Sequence, residues 1–529
     1  MNLKQPITSV IEKIEQNKYW ILSFCLLIVF DITFFGCPNT FCGDFWEHTA
    51  ALEELSHNLA SPKNPQLLSD IPSPRYMPYI LILAIVKNIT GLNVFSMMIL
   101  ASIATFLIFS IGLYFFTKEY FNDKDQAFYT IIVMLFFWGT GFGLSNAYNF
   151  NLLKITLCYP SIFAFSLSFS GFYFVLKYIK TKNFKYYFYS LVLGFIIFLS
   201  HSPTGSFFFL AILLLVLSER NNIVSKLTVF CLPIIIVISS CFWPYFSMTD
   251  LMFGSMALKA WVPPTTFYSP HVIYRLGPVL LGIPIVFNYF IKREYKFVYY
   301  GFASCFLIYI VSGIMKIPFG ERYIFFFAFF LHLAIARELR VRNLLSVATI
   351  KQIFYSNNET KKKLINITLA LILFSSIAFN IGWSYAGNFA DKEDDKIILH
   401  EYRAYDHVDF NEYNFLKEKV GRYDVVMSDK TTSWLIPTYS GKAVCIIHLN
   451  PLIPDLDERL DAVGTFFDAN TTSKARLGII KKYNVSYILL NLDLELFEDE
   501  TIVAITELGN ITFQNSHFVL IEIEANNKE

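Results

Sequence analysis

The sequence predicts a polytopic α-helical membrane protein that ends in a smaller α/β domain outside the membrane. Three observations predict this class. Of 529 residues 55% are hydrophobic and only 16% charged, less charge than a soluble chain of this size carries. Charge-poor runs near twenty residues long recur through the first 385 positions, and a helix of that length crosses roughly 30 Å of hydrocarbon. After Trp383 the chain turns polar and its hydrophobic runs become short.

The apolar runs fall at 19–36, 78–90, 94–117, 126–147, 155–179, 185–200, 203–218, 226–247, 273–291, 297–315, 320–338 and 363–384. The first is too long for a signal-peptide core and lacks a small-residue cleavage site, so it reads as an anchor. Four basic clusters set the orientation: Lys4, Lys13 and Lys18; Lys177, Lys180, Lys182 and Lys185; Lys292, Arg293 and Lys296; and Arg337, Arg340, Arg342, Lys351 and Lys361 to Lys363. The positive-inside rule places all four in the cytoplasm. Twelve crossings cannot satisfy that parity. Removing 78–90, whose 13 residues are too short to span, restores it and makes that segment re-entrant or interfacial. Eleven spans remain in an integral plasma (inner) membrane protein. The loop 37–77, the stretch 145–154, His201 to Gly205, 248–272, Lys316 to Arg322 and everything after 385 are then periplasmic.

The expected domains are therefore a membrane domain over 1–388 and an extracytoplasmic α/β domain over 389–529. In the second, Tyr423 to Met427, Ala443 to Ile447, Tyr487 to Leu490 and Phe518 to Ile523 read as strands. Asn411 to Val420, Asp457 to Phe467 and Ser473 to Tyr483 read as helices. A net charge of +1 argues against a nucleic-acid partner. Cys25, Cys158, Cys231, Cys241 and Cys305 lie in apolar runs and read as small buried residues, while Cys37 and Cys42 could pair on an oxidising side.

Chemistry concentrates at the outer ends of the predicted helices. Gly43-Asp44-Phe45-Trp46-Glu47-His48 opens the first loop. Phe45, Thr49, Leu52, Leu55 and Leu59 follow at helical spacing, which suits an amphipathic helix on the membrane surface. Asp44 fits an N-cap with Glu47 three residues on, a purely structural role. It equally fits a general base toward a hydroxyl acceptor. Asp44, Glu47 and His48 could instead share a divalent cation, although adjacent Glu and His diverge on a helix. Arg75, Arg275 and Arg322 sit at helix mouths, where a guanidinium fork suits phosphate. Snorkelling, or for Arg322 a pair with Glu321, is the plainer alternative. His201, in His201-Ser202-Pro203-Thr204-Gly205, could hydrogen-bond a phosphate or sugar, or simply close a turn. Trp243-Pro244-Tyr245 and Trp261-Val262-Pro263-Pro264 read as interfacial aromatics. No nucleotide-binding motif is present, so an enzyme with this layout needs a lipid-borne substrate.

On these residues the chain resembles the GT-C superfamily of membrane glycosyltransferases. The acidic Gly43 to His48 motif, the helix after it, the Pro-rich Ser73-Pro74-Arg75-Tyr76-Met77-Pro78-Tyr79, the many spans and the external C-terminal domain carry the resemblance. Asp424 to Asp429, Ile436 to Gly441 and Lys482 to Tyr487 resemble the external domains of uncharacterised bacterial members. The resemblance implies transfer of a sugar from a polyprenyl-phosphate or polyprenyl-diphosphate carrier to a glycan, lipid or protein acceptor, with Asp44 as the first-loop acidic residue. Many members carry a second carboxylate in a later external loop. Here Ser145 to Lys154 offers Asn146, Asn149 and Asn151 instead, which favours a single base over a metal-dependent oligosaccharyltransferase mechanism. Arg322, Arg275, His201 and Arg75 are the expected phosphate contacts. The alternatives are a transporter or glycan-lipid translocase, which would place charges at mid-membrane and show repeats, and an anchored scaffold, which needs far fewer spans.

Overall fold

A computed structural model describes residues 4–36, 43–219, 223–253, 267–344, 360–386, 410–447, 452–494 and 498–524. Cys37, Cys42, Trp261 to Pro264 and Lys351 lie outside these residues, as do the side chains of Lys4, Lys13 and Lys361 to Lys363. The chain divides into two compact units. One comprises Met1–Phe35, Ile99–Ser240 and Trp261–Ala390; the other comprises Gly36–Met98, Cys241–Ala260 and Asp391–Glu529. The early helices are α1 (Lys4–Gly36), α2 (Gly43–His57), α3 (Pro78–Thr90), α4 (Val94–Phe121), α5 (Gln126–Phe136), α6 (Phe150–Thr156) and α7 (Pro160–Thr181).

The first unit is helical. Among the described residues, five helical segments are long and apolar enough to cross a membrane: Val94–Phe121, Pro160–Thr181, Ile223–Ser240, Val272–Lys292 and Lys296–Met315. Cys158 and Cys305 are buried as expected, whereas Cys25 and Cys231 lie on exposed apolar faces. Ion pairs gather the helix ends that carry basic clusters. Lys18 of α1 is 3.9 Å from Asp125, and Asp125 is 3.1 Å from Arg340. Arg340 and Arg337 reach Asp123 at 3.1 and 3.2 Å, and Arg337 Nε donates to Tyr295 Oη at 3.0 Å. Lys177 and Lys180, late in α7, pair with Glu119 near the end of α4 at 2.7 and 2.8 Å. These pairs tie the ends of α4 and α7, Lys18 of α1 and the segment 337–340 together.

The expected span 126–147 is not a single helix. The run 126–147 stops being helical at Phe136, after 11 residues, which cover about 16 Å. Glycine allows the break. A Cβ at Gly139 would lie 1.8 Å from the Tyr274 carbonyl oxygen, and Gly141 holds φ +76°. Gly139 N donates instead to the carbonyls of Arg275 and Leu276 at 3.1 and 3.2 Å. A broken helix in hydrocarbon must satisfy its last carbonyls internally. Ser376 Oγ and Asn380 Nδ2 donate to Phe136 O, Asn380 Nδ2 also to Trp138 O at 3.2 Å, and His332 Nε2 to Phe137 O at 3.2 Å. A carbonyl only accepts, so His332 carries its proton on Nε2, and its Nδ1 lies 3.1 Å from Tyr148 Oη, which donates to Phe325 O at 3.1 Å. Replacing Asn380 with leucine should therefore strip Trp138 O of this donor and cost about 1–3 kcal/mol. Thermal unfolding in detergent should show a midpoint several degrees lower; an unchanged midpoint would mean that the break needs no such donor.

The second unit holds α2, α3 and a five-stranded sheet: β1 (Val425–Met427), β2 (Lys442–Ala443), β3 (Val485–Asn491), β4 (Gly509–Gln514) and β5 (Phe518–Ile523), in the order β2-β1-β3-β5-β4. β1 runs parallel to β2 and β3; β5 runs antiparallel to β3 and β4. Val425, Met427, Ile488, Leu490, Val519 and Ile521 form its core with Phe466 and Ile480 from the helices Leu456–Phe467 and Ser473–Tyr483. The expected strand at 443–447 is reduced to two residues, and β4 was not expected, because this edge strand shows Asn510 and Gln514 to solvent and buries little. The first loop completes the other edge. Leu67 bridges Ala443 in parallel, and Ala443 N donates to Gln66 O at 2.7 Å.

That pairing corrects the reading of α2 as a membrane-surface helix. Phe45, Trp46, Leu52 and Leu55 are buried, and so are Glu47, His48 and Glu54 on what looked like the polar side. The helix also starts at Gly43, so Asp44 lies in its first turn rather than capping it.

Candidate active site

Asp44, Glu47, His48 and Arg75 all belong to the second unit. Asp44 and Glu47 stand three residues apart on α2, hence on one helix face. Arg75, from the Pro-rich turn, meets both. Its Nη2 lies 3.3 Å from Asp44 Oδ1 and bonds Glu47 Oε2 as well. The Glu47 side chain is 5% exposed, whereas those of Asp44 and Arg75 are 30% and 27% exposed, so the cluster is closed at Glu47 and open at Asp44. Burial works against the charge on Arg75, but Glu47 and then Asp44 outweigh it and hold the guanidinium pKa above its ordinary value. His48, the next residue of α2, is buried as well, 2% exposed.

The turn that presents Arg75 is braced by residues whose sequence signal suggested only membrane-interface aromatics. Arg75 N donates to Ser73 Oγ at 3.2 Å, and Trp243 Nε1 donates to the carbonyl of Tyr76 at 2.9 Å. Tyr245 Oη donates to Leu59 O at 2.8 Å. The far end of α2 is anchored by charge. Lys442 Nζ on β2 reaches Glu54 Oε2 at 2.9 Å and the carbonyls of Asn64 and Pro65 at 2.8 and 3.1 Å. Glu54 also accepts from Lys63 N at 3.1 Å and lies 3.5 Å from Arg422. Midway, Thr49 Oγ1 and Thr438 Oγ1 are 2.7 Å apart.

Residues of this cluster do not fit the divalent-cation reading. Arg75 already bridges the two carboxylates. Among the described residues, no three His, Cys, Asp or Glu side chains converge as a metal would need.

His201, Arg275 and Arg322 belong to the first unit. Arg322 Nη1 donates to Ser145 Oγ at 3.1 Å and to Asn146 Oδ1, and its Nε lies 3.7 Å from Glu321, which is fully buried. Asn146 Nδ2 donates to Thr204 Oγ1 at 3.3 Å, and Thr204 Oγ1 is 2.8 Å from His201 Nδ1. One polar chain thus links Arg322 to His201 through Asn146 and Thr204. His201 also caps the helix Ser202–Ser218 by accepting from Thr204 N at 3.2 Å. Arg275 is apart from this chain and rests over the Phe142 ring, 5.5 Å from its centroid. Ser145 and Thr204 were not singled out by the sequence, since a lone hydroxyl in a turn carries no pattern.

No protein-family model and no curated protein sequence matches the chain. Solved structures do. ArnT from Cupriavidus metallidurans, solved with undecaprenyl phosphate bound, is 9% identical and aligns over 97% of this chain and 99% of its own, with a TM-score of 0.55. The Archaeoglobus fulgidus oligosaccharyltransferase, solved with a tethered acceptor peptide containing an NVT sequon, is 11% identical over 96% of this chain and 74% of its own, with a TM-score of 0.51. The chain has the fold of the GT-C membrane glycosyltransferases. At such identities the likeness is one of fold. In this chain the acidic helix α2 follows α1 in sequence, and Arg75 accompanies it.

Proposed function

We propose that the protein is an inverting glycosyltransferase. It moves a sugar from a polyprenyl-(di)phosphate-linked donor to an acceptor hydroxyl on a glycan, lipid or protein at the extracytoplasmic face of the plasma membrane. The observation that carries this reading is the Asp44, Glu47 and Arg75 cluster at the start of α2 in a chain of GT-C fold. The ion pair favours the charged form of each partner, and Asp44 is the carboxylate with its side chain most open to an acceptor. Asp44 takes the acceptor's hydroxyl proton while that oxygen attacks the anomeric carbon. The bond from carbon to phosphate oxygen breaks, and its electron pair leaves on the lipid phosphate, a weak base that needs no general acid. Arg75, beside Asp44, meets the developing phosphate charge as a preorganised donor; Arg322, Arg275 and His201 of the first unit remain separate candidate phosphate contacts. The bound undecaprenyl phosphate of the ArnT structure supports this donor class. Eleven spans, a cytoplasmic N-terminus and a periplasmic α/β domain over 389–529 complete the proposal.

Mass spectrometry of lipids co-purified with the wild-type protein and with Arg322→Ala tests it. A polyprenyl-phosphate species should accompany the wild type and be depleted at least several-fold in the variant. Bulk phospholipids alone in both would remove the donor class from this reading.

A further inference from the structure

We propose that Arg75 stands in for a divalent cation, so that the protein holds no metal ion between Asp44 and Glu47. The inference rests on the reading of Asp44 as a working carboxylate, but its geometry and its test stand apart from sugar transfer. Two carboxylates on one helix face, three residues apart, are what a divalent ion would bridge. A single nitrogen of Arg75 occupies that bridging place, 3.3 Å from Asp44 and bonded to Glu47. Glu47 lies deep in the cluster, so it cannot swing away to solvent without uncovering buried surface.

The turn makes the bridge a built feature rather than a chance contact. Ser73 and Trp243 hold the backbone on either side of Arg75 by hydrogen bonds of 3.2 and 2.9 Å. The guanidinium is always charged and cannot be displaced by chelation. A divalent ion entering beside the guanidinium would bring two cationic groups into one pocket and compete with Arg75 for Asp44 Oδ1 and Glu47 Oε2. His48 offers no escape, because as the neighbour of Glu47 on a helix it points elsewhere.

Electron paramagnetic resonance of Mn²⁺ titrated into the purified full-length protein reads this without any sugar donor. The wild type should leave the free Mn²⁺ signal undiminished up to about 1 mM. Arg75→Ala should gain one Mn²⁺ per chain, bound at least tenfold more tightly, and adding Glu47→Gln should abolish that gain. A wild-type Mn²⁺ site lost on Asp44→Asn would overturn the proposal, as would a folded Arg75→Ala that binds no more Mn²⁺ than the wild type. If Arg75→Ala does not fold, the wild-type and Asp44→Asn titrations decide alone, since a shared absence of binding supports the proposal. Failure of the glycosyltransferase reading would appear in the lipid measurement and leave these titrations unchanged.

Discussion

Asp44→Asn should reduce sugar transfer by a factor of about 10² to 10⁴, the range a positioned general base contributes, while the protein stays folded. Asparagine keeps the shape of the side chain and loses only its charge and proton affinity. Asp44 lies in the first turn of α2 rather than in the capping position, so the cost to the helix is that of one favourable charge at its N-terminus, roughly 0.3–1 kcal/mol. Arg75 retains Glu47 as a partner, so the turn keeps its anchor. Single-turnover transfer measured beside thermal unfolding separates the two roles. Full transfer by the variant would show that another group takes the proton. A collapse of folding would make Asp44 a structural carboxylate.

Lys442→Met should produce the largest loss of stability, about 3 kcal/mol, because it leaves Glu54 buried without its nearest cation. Glu54 and Lys442 have side chains only 1% and 2% exposed. Arg422 lies farther off at 3.5 Å and recovers part of the loss. The double variant Glu54→Leu with Lys442→Met should regain most of the stability, since a packed apolar pair removes both desolvation costs. Additive losses would mean that the two residues act separately. The pair also carries a pH signature. Burial, partly offset by Glu54, pushes the Lys442 ammonium from its usual 10.5 down to about 8. Between those values the unfolded chain binds a proton that the folded chain has released. The lysine's contribution to stability therefore grows as pH rises across that window. The deficit of Lys442→Met should widen from pH 8 to pH 10. Transfer should fall with stability, because this pair fixes the helix that carries Asp44 and Glu47.

Much of the fold was legible because hydrocarbon imposes length and charge rules that sequence obeys locally. The segment 78–90 is a 13-residue helix, and the helix Ser473–Tyr483 has its expected bounds. The break after Phe136 was hidden by a run whose hydropathy continues to residue 147. Only the approach of the Tyr274 backbone to Gly139, and donors more than a hundred residues away, show why the helix stops there. β4 escaped because an edge strand buries too little to leave an alternating pattern. The candidate residues were found by type and position, but Arg75 was read as a phosphate contact or a snorkelling cation and not as the partner of Asp44 and Glu47.

By itself the sequence determined a chain of many apolar helices, the change of character after Trp383 and the acidic start of α2, because hydropathy, charge and helical period are properties of neighbouring residues. The tertiary structure alone decided which charges are partners. It set Arg75 between Asp44 and Glu47, Lys442 on Glu54, and Leu67 against the edge of a sheet nearly four hundred residues later in the chain. Opposite charges and unpaired backbone groups find one another through space once the chain is closed, and no local pattern records which of many candidates each will meet.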